Sequence, residues 1–494
     1  MVIKTNLISV IRKMYLEYSC SKHHNWMRLW LIIGALTAFV SACQYSDPTP
    51  LPPPITELPP IPIPEPPSSQ LFSSIASNRN DGAIAQVLSG QLTTANAAWW
   101  GFDADDATHA IQSAINSGAT KVVIPYVGSD WNVRPLRLAS QQEIDFDPGV
   151  VVVAKNGAFR GPQDCLFRGQ EINKVTLRGY GAVLRMRKEE YREPDYEKSE
   201  FRHVLGLFGA TEVTVQGLTL QSSGGDGIYI GPTWDSRRIP CRRIDIKDCV
   251  LADNFRQGIS IVSAETVLIE NCLIRDTIGT SPQAGIDFEP ADASDLLVDI
   301  QVRNCVAKNN AGAGFAVGLS RLDERSTPIS VKVVNCLIRG PQSLGILGLL
   351  KTDKQPRGTV EFQDCTCENM EYAGLACNWN LASSLELRFG NCKWGNVARG
   401  TSAPFYLELT GQRANEVQGG IRFVDCYIYD DKDRDPIRVL NATTGDGFVQ
   451  LIPPTLFANV DGNITVVNEA IDHSVPLGWP LPNLIMQLQG LKSP

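Results

Sequence analysis

One pattern repeats down this chain and limits what it can fold into. Alternating apolar residues lead to Asn-Cys or Asp-Cys, then a short polar turn, then Gly followed by an apolar residue. Copies read RIDIKDCVLADNFRQGISIV from Arg243, TVLIENCLIRDTIGTSPQAGIDFEP from Thr266 and DIQVRNCVAKNNAGAGFAVG from Asp299, and the set runs from Glu212 to Asp430. Cys249, Cys272, Cys305, Cys336, Cys365, Cys392 and Cys426 fall 23, 33, 31, 29, 27 and 34 residues apart. Within each copy the apolar period is two, so the unit is a set of short strands rather than a helix pair. Units of this size cannot bury a face alone and must stack. Two or three strands per turn, joined by tight polar corners, coil into an all-β parallel β-helix. Each strand then pairs with its equivalent one turn away, about 4.8 Å distant.

The thirteen cysteines need not form a disulfide framework. Seven occupy one repeat position among apolar neighbours, so they are expected to stack inward as free thiols. Parallel stacked side chains rarely offer the torsion a disulfide requires. No CxxC pair with a matching histidine pair is present, and no metal or other cofactor is expected, apart from an alternative calcium reading noted below.

The first part of the chain reads differently. Met27 to Cys43 carries one positive charge, then an apolar run too short to span a bilayer, then Val40-Ser41-Ala42-Cys43. The last four residues resemble a bacterial lipobox, which makes Cys43 the expected lipidation site and Met27 the expected start. Eleven of the twenty residues from Pro48 to Pro67 are proline, a composition for an extended spacer rather than a core. The expected organisation is therefore residues 1–42 as upstream region plus signal, 43–70 as lipidated linker, 71–450 as the solenoid with its cap, and 451–494 as a tail that loses the repeat. An exported, lipid-anchored protein follows, at the outer membrane or cell surface. A formal net charge of -8 and a pI near 5.3 argue against a nucleic-acid partner. The chain is expected to be a monomer touching membrane only through its anchor.

Asp103 to Gly118 reads as a helix with acidic residues at its start, an apolar stripe at Ala107, Ala110, Ile111, Ala114 and Ile115, and a terminating glycine. Such a helix can shield the first rung of a solenoid from water. The stretch DDATHAIQSAINSGATKVVIP, beginning at Asp105, together with the Asn-Cys and Gly-Ile repeats, resembles the pectin-lyase-like superfamily of right-handed parallel β-helix proteins. The resemblance covers most of residues 80 to 440. It implies a right-handed single-stranded solenoid and a polysaccharide or oligosaccharide bound in a groove along one sheet. The polygalacturonase set of Asn-Thr-Asp, Asp-Asp, Gly-His-Gly and Arg-Ile-Lys is not found in the central coils. Asp105-Asp106 belongs to the capping helix, and no complete calcium pectate lyase pattern is present.

Aligning Gly227, Gly258, Gly285, Gly314, Gly345 and Gly374 lays the following strands side by side. Ile228, Ile259 and Ile286 then point inward, and Tyr229, Ser260 and Asp287 point outward. Glu289 shares the Asp287 face, and Asp226 lies two coils away. Asp226, Asp287 and Glu289 are thus the expected catalytic carboxylates. One would protonate a leaving glycosidic oxygen while another activates water or attacks the sugar. The same residues have plainer readings: Asp226 as a turn former, Asp287 and Glu289 as solvated surface groups, or all three as calcium ligands. Arg202, His203, Tyr229, Trp234, Arg256, Gln257, Asn378 and Trp379 are the expected substrate contacts. Arg256 or His203 could instead act as base in a β-elimination, Arg256 could be an ion-paired corner residue, and His203 could be structural. Glycoside hydrolysis leads, with a polysaccharide lyase or a non-catalytic surface glycan-binding protein as alternatives.

Overall fold

The computed structural model describes residues 79–340, 344–349, 355–378, 384–400, 403–409, 418–432, 434–441, 457–468 and 484–489. Cys43, the signal-like segment, the proline-rich stretch and Trp379 lie outside the described residues, as does the side chain of Asn378. Among the described residues no helix is long and apolar enough to cross a membrane.

Each coil contains three strands. One coil runs Thr211–Gln216, Thr219–Gln221 and Ile228–Gly231; the next runs Cys241–Lys247, Val250–Ala252 and Gln257–Ile261; a third runs Ala264–Glu270, Leu273–Arg275 and Ala284–Phe288. All pair in parallel with their equivalents in adjacent coils. The first two kinds of strand belong to a 24-stranded sheet, and the third kind forms an 11-stranded sheet. This is the all-β parallel β-helix that the repeat requires.

The Asn-Cys and Asp-Cys pairs form the corner between the first and second strands. Asp248, Asn271, Asn304, Asn335, Asp364, Asn391 and Asp425 all hold φ between 46° and 56°. Asn and Asp tolerate this left-handed conformation better than other side chains. The chain turns there, and the following cysteine points into the core. Corner side chains also bridge coils: Asn335 Nδ2 donates to Asn304 Oδ1 at 2.8 Å, and Asn391 Nδ2 to Asp364 Oδ1 at 2.7 Å. The seven repeat cysteines are buried and free, as are Cys165, Cys241, Cys367 and Cys377. Burial pushes the Cys241 thiol up to about 12, which leaves it an inert core side chain.

A second left-handed corner, at Asp253, Asp276, Asn309 and Asn369 with φ of 55° to 58°, turns the chain into the third strand. The glycines that open this strand are required by contact between coils. A Cβ on Gly258 would stand 2.6 Å from Gly285 O, and one on Gly285 would stand 2.7 Å from Gly314 O. Only glycine lets these backbones approach so closely. The expected alignment follows: Ile228, Ile259, Ile286, Phe315, Ile346 and Leu375 are in register along the 11-stranded sheet.

Two helices close the N-terminal end. In α1 (Asp81–Leu88), Asn80 Oδ1 caps the helix by accepting from Ala83 N at 2.9 Å. The second, α2 (Thr108–Ile115), is shorter than the span from Asp103 to Gly118, because Asp103 and Asp106 accept from Asp105 N and Thr108 N in turns ahead of it. Its buried residues are Ala110, Ile111, Ala114 and Ile115, with Ala107 buried just before it. At the other end, Phe457–Asn468 pairs in parallel with Gln418–Asp430, and Leu484–Gln489 pairs with Phe457–Asn468. The stack therefore runs beyond residue 450. The corner motif is lost there, but apolar residues such as Ile464 and Val466 still alternate into the core.

Candidate functional site

The 11-stranded sheet gathers most of the sequence-derived candidates. Arg168, Gly206, Tyr229, Ser260, Asp287 and Ala316 form one column across six coils. Gln257 and Ala284 are register partners at the entrance to their strands. Glu289 follows Phe288 at the far end of the same strip, and its backbone N–H donates to Ile261 O at 3.0 Å. Asp226 enters one coil before Gln257, and its carbonyl accepts from Val204 N at 3.1 Å, which ties it to the coil carrying His203.

The centre has two layers. Arg256 and Glu289 face solvent with side chains 15% and 21% exposed. Both guanidinium Nη atoms bond Glu289, with Nη2 2.7 Å from Oε2, and Arg256 Nε lies 3.3 Å from Glu200 Oε2. Ser260 Oγ donates to Glu289 Oε1 at 3.3 Å. Beneath lie Asp226, 1% exposed, and Asp287, 3% exposed. Gln257 Nε2 donates to Asp287 Oδ2 at 2.7 Å, while neither oxygen of Asp226 receives a well-formed hydrogen bond.

Burial dominates the electrostatics. It pushes Asp226 up to about 8, with Glu289 acting in the same direction and Arg256 against it. Asp287 is raised well above the usual carboxylate range by burial, then by Glu289 and Asp226, again against Arg256. Burial works against the charge on Arg256, yet Glu289, Asp226 and Glu200 more than offset it. His203 is driven down to about 3 by burial and by the charges of Arg256 and Arg168. At neutral pH the 3.3 Å contact between His203 Nδ1 and Asp226 Oδ2 therefore joins two neutral groups and is not an ion pair.

Several expected contacts have other roles. Arg202 is fully buried, and its guanidinium donates to the carbonyls of Phe159, Arg160 and Glu197 at 3.1 to 3.3 Å, so it staples the 185–202 insertion and does not line a groove. These carbonyls need a buried donor and Arg202 supplies it. Tyr229 stacks on the His203 ring at 4.9 Å and is 7% exposed, which leaves little of its face for a sugar. His203 is enclosed with it. Gln257 is fully buried and serves Asp287. Asp287 is not a solvated surface carboxylate, because the outward face of this sheet is covered at that point. Trp234 remains 38% exposed, edge-on to Phe201 at 5.7 Å and to Phe208 at 4.9 Å. Asn378 lies in register with Glu289 through Gly318 and Leu349, three coils away, and so stands apart from the cluster.

Two participants carried no sequence signal. Ser260 was visible only as an outward strand position. Arg168 packs its guanidinium over Phe208 at 4.1 Å and Trp234 at 5.6 Å, but it precedes the recognisable repeats and could not be aligned. Among the described residues, no group of three or more His, Cys, Asp and Glu side chains is placed to hold a metal ion.

Residues 197–354, which contain this centre, match the family described as right handed beta helix region. The chain has the right-handed parallel β-helix fold. Among solved structures, this β-helix is similar to the A-module of the mannuronan C-5 epimerase AlgE4 of Azotobacter vinelandii. That match has 12% identity and a TM-score of 0.52, over 80% of this chain and 98% of the other. The Yersinia enterocolitica family 28 exopolygalacturonase matches at 12% identity and a TM-score of 0.50, over 76% and 78% of the two chains. At such identity the likeness concerns the fold. Two Bacillus subtilis (strain 168) relatives, the uncharacterized protein YclG and the SPbeta prophage-derived uncharacterized protein YorA, are each 24% identical. The matches span 42% and 31% of the β-helix chain but only 41% and 28% of those relatives, less than half of their length.

Proposed function

We propose that this β-helix is a polysaccharide-active enzyme that cleaves glycosidic bonds, with Asp226, Asp287 and Glu289 as its reaction centre. The observation that carries the reading is the layering of three neighbouring carboxyls, with Asp226 and Asp287 buried beneath and Glu289 nearer the surface on Arg256. Asp226 is held neutral near pH 7 by burial, whereas Glu289 is paired with a guanidinium. Hydrolysis of a glycosidic bond needs this division: a protonated acid for the leaving oxygen and a charged carboxylate to activate water or attack the sugar. Asp226 takes the acid role and Glu289 the charged role, with Asp287 between them as a second proton holder. Arg256 covers the acids, so a bound chain displaces its head group from Glu289 on entry. Trp234 and Phe201 offer an exposed aromatic surface beside the centre for the sugar face.

The residues offered for β-elimination are less suited to it. A guanidinium bonded to Glu289 and close to Glu200 is a poor base for β-elimination, and His203 is enclosed with its Nδ1 already occupied. The proposed setting is outside the inner membrane, on a lipid attached at Cys43, with the proline-rich stretch as spacer. Labelling by a radioactive fatty acid that is lost in Cys43→Ala checks that placement.

The test of function is a panel of neutral and acidic glycans assayed for new reducing ends, with ultraviolet absorbance reporting unsaturated ends. Hydrolysis predicts reducing ends without absorbance, and their loss in Asp226→Asn and Glu289→Gln. Unchanged turnover in both variants would remove these carboxylates from the reaction. Binding without product would make the protein a glycan-binding module.

A further inference from the structure

We propose that Gln257 is a positioning residue that fixes the Asp287 carboxyl with Oδ2 as acceptor, so that the proton of Asp287 is carried on Oδ1. The geometry leaves the Gln257 amide one orientation. Its Oε1 accepts the backbone N–H of Ala284 at 2.8 Å, and a backbone N–H can only donate, so Nε2 must be the group that faces Asp287. Nε2 lies 2.7 Å from Oδ2. Gln257 is completely buried, and Gln257 and Ala284 are register partners on adjacent coils, so the side chain spans one coil step and has no room to turn. An oxygen that accepts an amide hydrogen is a poor place for a proton. The other oxygen, Oδ1, is buried without a hydrogen-bond partner.

The groups around Asp287 support the same assignment. Glu289 on its own strand and Asp226 two coils back both oppose its ionisation, and Arg256 on the preceding coil favours it. The following coil presents only Ala316 in register, within a small buried cluster of Ala284, Ala313 and Ala316 that provides no side-chain donor. Among the described residues, Gln257 is thus the side-chain donor bonded to Asp287. It determines which oxygen is left to carry the acid proton and limits how far the carboxyl is driven toward the neutral state. Gln257, immediately before Gly258-Ile259, is expected from the sequence as a sugar contact; the structure gives it the task of holding an acid.

The inference concerns the same centre as the hydrolase reading, but its test needs no substrate, so the two can fail separately. The full chain labelled with carboxyl carbon-13 aspartate is titrated by difference infrared spectroscopy, and the Asp287 acid band is identified by its loss in Asp287→Asn. Gln257→Met removes the donor while keeping the volume. The expected result is an Asp287 midpoint higher by about one pH unit or more, because the charged form loses its hydrogen bond. An unchanged midpoint in a variant with wild-type circular dichroism and melting would overturn the assignment. If Gln257→Met fails to fold, Gln257→Glu decides. It retains an acceptor for Ala284 N–H, and its own state is read with carboxyl carbon-13 glutamate: ionised, it presents no donor to Oδ2 and the Asp287 midpoint must rise, whereas protonated it restores the donor and the midpoint must stay, and the opposite result in either case overturns the proposal.

Discussion

His203 Nδ1 accepts the backbone N–H of Asp226 at 3.0 Å, so the ring is the tautomer with its hydrogen on Nε2, and the histidine fixes the acid's backbone without titrating near neutrality. The pair predicts a pH dependence of stability with a definite sign. Asp226 is raised to about 8 in the fold, whereas an unfolded aspartate titrates near ~3.9. From about pH 4 to about pH 8 the native state holds a proton that the unfolded chain has lost, so this group's contribution to stability falls as pH rises. Asp226→Asn should therefore melt progressively higher than wild type across that window, by thermal denaturation in parallel buffers, while kcat on a cleaved glycan drops about 100-fold or more. Equal pH slopes for the two proteins would mean Asp226 is charged in the fold.

The Arg256 and Glu289 pair predicts a cost with a different origin. Glu289→Gln removes the two-pronged counter-charge of a largely covered guanidinium and leaves only Glu200 near its Nε, and urea unfolding should show a loss of about 3 kcal/mol. Arg256→Lys keeps the charge but not the two-pronged bond to Glu289, and should lose less stability than Glu289→Gln while still impairing turnover.

Arg202 predicts the reverse pattern. Its three carbonyl bonds are all internal, so Arg202→Met should destabilise by about 2 to 4 kcal/mol. The folded fraction should keep a wild-type KM. A raised KM at full folding would return Arg202 to the groove.

Trp234 is an exposed aromatic beside Tyr229 and Phe201. Trp234→Ala should weaken glycan binding about 10-fold with little change in kcat or melting temperature, read by calorimetry and steady-state kinetics.

The stacked thiols predict silence toward reagents. Ellman's reagent should find none of the eleven described cysteines in the native protein and all of them after denaturation under non-reducing conditions. A deficit after denaturation would reveal a disulfide.

The sequence by itself determined the solenoid. Period-two alternation, a corner residue tolerant of the left-handed conformation, an inward cysteine and a glycine at the coil contact are local demands, and each names its own position in the rung. Because Gly258 and Gly285 must admit the next backbone, register followed as well, and with it the grouping of Asp226, Asp287 and Glu289. What only the tertiary structure decided was depth and partnership. Alternation places Asp287 and Tyr229 on an outer face, yet the 185–202 insertion, the Tyr229 stack on His203 and the Arg256 side chain cover that face. A local pattern gives direction, but burial depends on distant segments that fold over it. For that reason Arg202 proved to be a staple and Gln257 the holder of an acid, and an aspartate two coils from its neighbour became neutral.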